Sequence, residues 1–138
     1  MSGAAPDRGR AAAPPSASLH SPINAALGIQ TEDLPDGRVR LTLHTDETFR
    51  SESGSVHGGI PALLLDGAMG RCVGRTLEPG QSCATVQLSV QYLAPAEGRI
   101  TAVGRVVRRG RTTAFMEAEC TRADGTIVAR AHGTWVIR

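Results

Sequence analysis

One stretch of this chain, Ile60 to Leu77, carries apolar or small residues at Ile60, Leu63, Leu64, Gly67, Ala68 and Cys72, close to the period of an α-helix. The rest of the patterned sequence reads as β-structure. Thr85-Val-Gln-Leu-Ser-Val-Gln-Tyr92 alternates strictly, with Val86, Leu88, Val90 and Tyr92 on one face and Thr85, Gln87, Ser89 and Gln91 on the other. Strand-like runs follow at about 99–108, 112–122 and 126–137, divided by Arg109-Gly110 and Asp124-Gly125. Two more come first, Gly28 to Leu34 and Arg38 to Thr45, joined across Pro35-Asp36-Gly37, whose Pro and Gly supply turn dihedrals. A lone long helix between two antiparallel groups of strands must bury its apolar stripe against them. The pattern therefore predicts an α+β fold in which one curved antiparallel sheet of about six strands wraps a central helix. Gly58, Gly59, Ala62, Gly67, Ala68, Gly70 and Gly74 are expected to permit a close backbone approach, at about 1 kcal/mol of helix propensity per interior Gly.

The 138 residues suffice for one domain. Residues 1–18, rich in Ala, Pro, Ser and Gly and without apolar period, read as a disordered leader, which leaves 19–138 as the folded unit. Ser21 followed by Pro22 opens a short helix that runs to Leu27 and stops at Gly28. With 15 Lys plus Arg against 13 Asp plus Glu, and only one Trp, one Tyr and two Phe, the chain lacks both the charge bias and the stacking surface of a nucleic-acid binder. No apolar run approaches the roughly 18–20 residues of a membrane span, and the N-terminus has no secretory core, so a cytoplasmic protein without membrane or nucleic-acid partners is expected. Cys72, Cys83 and Cys120 form neither disulfide pairs nor a metal-ligand spacing and read as reduced, buried hydrophobes. His44 and His132 have no second ligand at metal spacing, and no metal site is expected.

The chemistry-bearing segment is Gly54-Ser-Val-His-Gly-Gly-Ile-Pro-Ala-Leu-Leu-Leu-Asp-Gly-Ala-Met-Gly70. Pro61 suits a first helical turn, which sets the amides of Gly58 and Gly59 at the helix start, where free N–H groups and the helix dipole favour negative charge. Such amides suit an oxyanion, with His57 donating or orienting beside them; a glycine-rich turn with a satisfied histidine is the plainer alternative. Asp66 is the only carboxylate between Ser53 and Leu77 and lies within an apolar stretch. A carboxylate desolvated there suits general-base work or nucleophilic attack on an acyl carbon, whereas an Asp reaching solvent between helix turns needs no function. From Gly59 to Asp66 is about 10 Å along a helix axis, too far for both ends to touch one reacting group, so a two-fold dimer is expected to complete the site. Thr85 opens the alternating strand and is placed to hydrogen-bond Asp66 if that strand passes beside the helix; otherwise it is an ordinary β-branched residue. The tip Arg108-Arg-Gly-Arg111 offers guanidinium groups for phosphates, or a solvated turn.

Taken together, Val56-His57-Gly58-Gly59, Asp66-x-Ala68-Met69-Gly70, Thr85 to Tyr92 leading to Ala94-Pro95-Ala96, and Arg108-Arg-Gly-Arg-Thr-Thr-Ala-Phe115 resemble the hot-dog acyl-CoA thioesterases, of the phenylacetic-acid-pathway type, over roughly residues 20–138. The resemblance implies hydrolysis of an acyl or aryl-acyl coenzyme A thioester, with coenzyme A as part of the substrate and no other cofactor. It implies Asp66 as base or nucleophile, the Gly58 amide as oxyanion donor, and His57 and Thr85 in support. Gly59, Tyr92, Leu93, Ala94, Pro95, Arg108, Arg109, Gly110, Arg111 and Thr112 would lie along the coenzyme A path. Homo-oligomers are implied too, a dimer as the active unit and a tetramer beyond it. Where many members have Asn, six positions before the His, this chain has Ser51, shorter and without an amide donor. That departure keeps open a non-catalytic acyl-CoA-binding protein; a hydratase or dehydratase of the same fold would use a differently placed His and acid pair.

Overall fold

In the computed structural model, which describes residues 21–138, the order of elements follows the hydrophobic pattern closely. A short helix α1 (Pro22–Leu27) is capped by the Ser21 hydroxyl and ends at Gly28, whose φ of 75° lets the chain turn off. Strands β1 (Gln30–Asp33) and β2 (Val39–His44) form the first hairpin, and a 3-10 turn at Glu47–Phe49, which no sequence signal announced, leads to helix α2 (Gly59–Gly74). Then come β3 (Cys83–Tyr92), β4 (Arg99–Arg109), β5 (Thr113–Arg122) and β6 (Ile127–Ile137). All six strands join one antiparallel sheet in the order β1-β2-β4-β5-β6-β3, curved around α2, which is the hot-dog arrangement. The proposed leader, residues 1–18, lies outside the described residues. Among the described residues no helix is long and apolar enough to cross a membrane.

The buried stripe of α2 is Pro61, Leu64, Leu65, Ala68, Met69, Cys72 and Val73. This is a regular three-four spacing, shifted from the expected set because Ile60 and Leu63 sit at its margin and are only partly buried. The helix stops at Gly74, three residues short of the expected Leu77. The stripe meets Leu41, Leu43, Ile100, Ala102, Met116, Cys120, Ala129 and Trp135 in one contiguous core. The close approach of backbone to backbone comes from the sheet: a Cβ on Gly104 of β4 would stand 2.8 Å from the backbone carbon of Ala68, whereas a Cβ on Gly67 of the helix would meet only the Leu41 side chain, also at 2.8 Å, and Gly74 faces open space. Cys72 Sγ donates to the Gly104 carbonyl at 3.1 Å across the same contact. Cys72 and Cys120 are buried, and burial pushes their thiols up to about 11 and about 12. Cys83 is only half-buried, because its strand is at the sheet edge.

The strict alternation expected of β3 is broken. Thr85 pairs with Trp135 and Gln87 with Thr134, so Val86 is an extra residue, a β-bulge, and is 63 % exposed. Trp135, Gly133 and Ala131 are buried, and their partners Thr85, Leu88 and Val90 share that face of the sheet. The bulge thus moves Thr85 from the face assigned by simple alternation to the face that looks at α2.

Candidate active site

Helix α2 carries Asp66 beside β3, away from the buried stripe. Asp66 is half-buried in the single chain, less than its apolar neighbours suggested, because Leu64, Leu65, Ala68 and Met69 take the core-facing positions. The Thr85 hydroxyl donates to Asp66 Oδ1 at 2.9 Å, a contact made possible by the bulge at Val86. A carboxylate held this way keeps its second oxygen for a proton or an electrophile.

At the start of α2, all but one of the first amides are hydrogen-bonded. Gly59 N–H donates to His57 Nδ1 at 2.9 Å, Ile60 N–H to the His57 carbonyl at 2.9 Å and Ala62 N–H to the Gly58 carbonyl at 3.4 Å, while Pro61 has no N–H. Gly58 N–H alone finds no acceptor among the described residues, the His57 side chain being committed to Gly59. The ring nitrogen of His57 that accepts must lack a proton, so in the neutral imidazole Nε2 carries the hydrogen and can donate outward. His57 N–H is itself held by the Phe49 carbonyl at 2.7 Å, which gives the 3-10 turn its role in aiming this segment.

Tyr92, at the far end of β3 from Thr85, donates its hydroxyl to the Gly58 carbonyl at 2.8 Å. Gly58, Pro61, Tyr92, Ala94, Pro95 and Val128 help line a 290 Å³ cavity, so the structure brings part of the segment Tyr92 to Pro95 to the N-terminal end of α2. Leu93 is exposed; its N–H and that of Ala94 are held by the Val128 carbonyl. Gly59 adjoins this end but its amide is already used by His57. Ser51 lies in the loop before α2 with its hydroxyl against Ser53, 2.9 Å away, and its N–H on the Ser55 carbonyl.

The segment Arg108 to Thr112 is at the opposite end. Arg109 donates to Thr76 Oγ1, the Thr76 carbonyl, Gln81 Oε1 and the Gly110 carbonyl, tying the β4–β5 hairpin to the end of α2. Gly110 N–H bonds the Thr113 carbonyl, and the Thr112 carbonyl accepts from Ile137 N–H, so both shape the hairpin. Arg108 and Arg111 are exposed. With α2 spanning 16 residues, this hairpin is about 22 Å along the axis from Gly58, and one chain does not bring the two together. A larger, 670 Å³ cavity lies on the outer face of the sheet, lined by Arg105, Glu117, Glu119, Arg130 and His132 among others, and includes none of the expected catalytic or coenzyme A-path residues. Among the described residues no group of three or more His, Cys, Asp or Glu is placed to hold a metal.

The clamp made by Tyr92 on Gly58 was not legible in the sequence, where the two are 34 positions apart. The sequence leaves the Thr85–Asp66 contact conditional on β3 passing beside the helix and carries no sign of the bulge that permits it.

The thioesterase superfamily profile matches residues 53–129, a span that includes His57, Gly58, Asp66, Thr85, Tyr92 and the arginine hairpin. A Halobacterium salinarum protein provisionally named as an esterase is 37% identical over 120 residues, covering 79% of this chain and 80% of that protein. A Bacillus halodurans protein crystallised with CoA superposes with a TM-score of 0.80 at 30% identity, covering 86% of this chain and 80% of its own. A phenylacetic acid degradation-related protein from Ralstonia eutropha gives a TM-score of 0.77 at 30% identity, covering 92% and 94%.

Proposed function

The chain belongs to the thioesterase superfamily and is a thioester hydrolase, and from that premise we propose that it hydrolyses an acyl or aryl-acyl coenzyme A, with Asp66 as general base or nucleophile and the Gly58 amide as oxyanion donor. The observation that carries this reading is the pairing of a carboxylate held by Thr85 with a helix start whose one amide without an acceptor among the described residues is Gly58 N–H. In the base route, Asp66 takes a proton from water as its oxygen adds to the thioester carbon. The oxyanion so formed accepts from Gly58 N–H, and collapse expels the coenzyme A thiolate, which then takes up a proton. In the nucleophile route the carboxylate itself adds to the thioester carbon and the C–S bond breaks, the coenzyme A thiolate leaving to take up a proton; water then cleaves the mixed anhydride, releasing the free acid and restoring the Asp66 carboxylate. The substrate class is supported by the CoA bound to the Bacillus halodurans relative.

The two halves of this machinery sit at opposite ends of β3, which among the described residues is an edge strand hydrogen-bonded on one side only, to β6. Antiparallel pairing of two such edges about a two-fold axis near Leu88 and Ser89 sets Thr85 opposite Tyr92 of the partner subunit. Asp66 then faces Gly58 of the partner subunit, and two equivalent sites arise per dimer. The same symmetry carries the arginine hairpin toward Leu93 and Pro95 of the partner subunit. There Arg108 and Arg111 meet the phosphates, while Arg109, with its fork committed to Thr76 and Gln81, shapes the hairpin.

The test is turnover of short, medium, long and aryl acyl-CoAs by wild type and Asp66→Asn at matched oligomeric state. Loss of about 10²–10⁴-fold in kcat is expected for the variant. Binding of acyl-CoA without turnover by the wild type would replace the enzyme with a binding protein, and full activity of a monomer would remove the shared site.

A further inference from the structure

The geometry points to Tyr92 as a positioning residue that aims the Gly58 amide, acting through its hydroxyl on the Gly58 carbonyl. This deepens, and rests on, the hydrolase reading above. The Gly58–Gly59 peptide is gripped at both ends: its carbonyl accepts from Tyr92 OH at 2.8 Å, and its N–H donates to His57 Nδ1 at 2.9 Å. The same carbonyl also accepts from Ala62 N–H, but at 3.4 Å, so the Tyr92 hydroxyl makes the shorter bond at a glycine pair with no Cβ to limit φ and ψ. The preceding peptide, which carries the Gly58 N–H, is held through its own carbonyl by Ile60 N–H at 2.9 Å. With both neighbouring peptides fixed, Gly58 N–H keeps one direction without any bond of its own. That is the pre-organisation an oxyanion donor requires.

The Tyr92 ring reinforces the hydroxyl. Its Cε1 and Cζ would stand 3.4 Å from a Cβ built on Gly58, so the ring lies against the glycine as a wall of the 290 Å³ cavity. Tyr92 is nonetheless 54 % exposed, so this contact is not a product of core packing, and the hydroxyl makes no other bond among the described residues. An exposed phenol could direct its O–H to water; here it is spent on the one carbonyl whose position sets the glycine pair. In the two-fold arrangement above, the ring also lies opposite Thr85 of the partner subunit, next to the reacting carbon rather than out along the phosphate path.

Tyr92→Phe removes the hydroxyl and keeps the ring, so the fold and the wall remain. The expected result is a fall of about 5- to 20-fold in kcat with KM within about twofold of wild type, smaller than the 10²–10³ that outright loss of an oxyanion donor costs. The backbone amide resonances of Gly58 and Gly59, followed by ¹H–¹⁵N NMR on the full chain, should shift and exchange faster with solvent. Unmoved resonances in a folded Tyr92→Phe protein overturn the proposal whatever the turnover. So does a raised KM with unchanged kcat, which would make Tyr92 a substrate contact only, or shifted resonances with unchanged kcat. A wild type that hydrolyses no acyl-CoA sinks the hydrolase reading instead, and the amide resonances still decide whether Tyr92 sets the peptide.

Discussion

Replacing Thr85 with Val tests how much of the chemistry depends on the hydroxyl that touches Asp66. The substitution conserves shape and β-branching, and Thr85 is exposed in the single chain, so neither a core cavity nor a loss of strand preference is expected. What disappears is one O–H donor, 2.9 Å from Asp66 Oδ1. A hydrogen bond to a charged group contributes about 1.5–3 kcal/mol when shielded; at this edge about 1–2 kcal/mol is the appropriate scale. If that orientation is expressed in the transition state, kcat falls by about 5- to 30-fold, because each 1.36 kcal/mol is a factor of ten. The assay is thiol release from a saturating acyl-CoA, with oligomeric state checked by sedimentation, on wild type, Thr85→Val, Asp66→Asn and the double variant. Since Thr85 acts through Asp66, the second substitution should add less than about twofold once Asp66 is gone, the coupling expected of contacting groups. Unchanged kcat in Thr85→Val, or losses that simply multiply in the double variant, would refute the reasoning.

Two further outcomes concern stability. Gly104→Ala places a Cβ 2.8 Å from the backbone of Ala68, where no flexible side chain can give way; strain of about 1–3 kcal/mol should lower Tm by roughly 5–10 °C in thermal melts, and a wild-type Tm would contradict the tight contact between α2 and β4. Asp33 receives Arg71 Nε at 3.1 Å and Nη2 at 2.7 Å, and the Arg71 hydrogen bond holds its carboxyl below the ordinary value of 3.8. With the folded pKa depressed, the pair's contribution is full above the unfolded pKa and is lost as pH falls through the folded one. Asp33→Asn should therefore cost about 1–2 kcal/mol in urea melts at pH 7, and the gap from wild type should shrink below about pH 4; a gap independent of pH would show that the ion pair is not its source.

Helical period in one segment and alternation in the others determined the element order, because burial of one face of a helix or strand is written in residue spacing. The turn at Pro35-Asp36-Gly37 and the stop at Gly28 were equally local, matters of dihedral preference. Asp66 and the His57-Gly58-Gly59 start stood out for the same reason: a lone carboxylate in an apolar helix and a glycine pair before a first-turn proline are anomalies against a regular pattern. The side of β3 that Thr85 occupies was decided only in three dimensions. A bulge depends on the register against β6, with Thr85 opposite Trp135 and Gln87 opposite Thr134, and no spacing within β3 encodes which residue is left over. Gly104, not a helix glycine, made the backbone-to-backbone contact, because strand and helix meet there. Arg109, alike in sequence to Arg108 and Arg111, was set apart by Thr76 and Gln81, which the fold brings to it. The Tyr92 hydroxyl on the Gly58 carbonyl joins the end of an edge strand to the start of the helix, a contact between distant positions that only the folded chain creates.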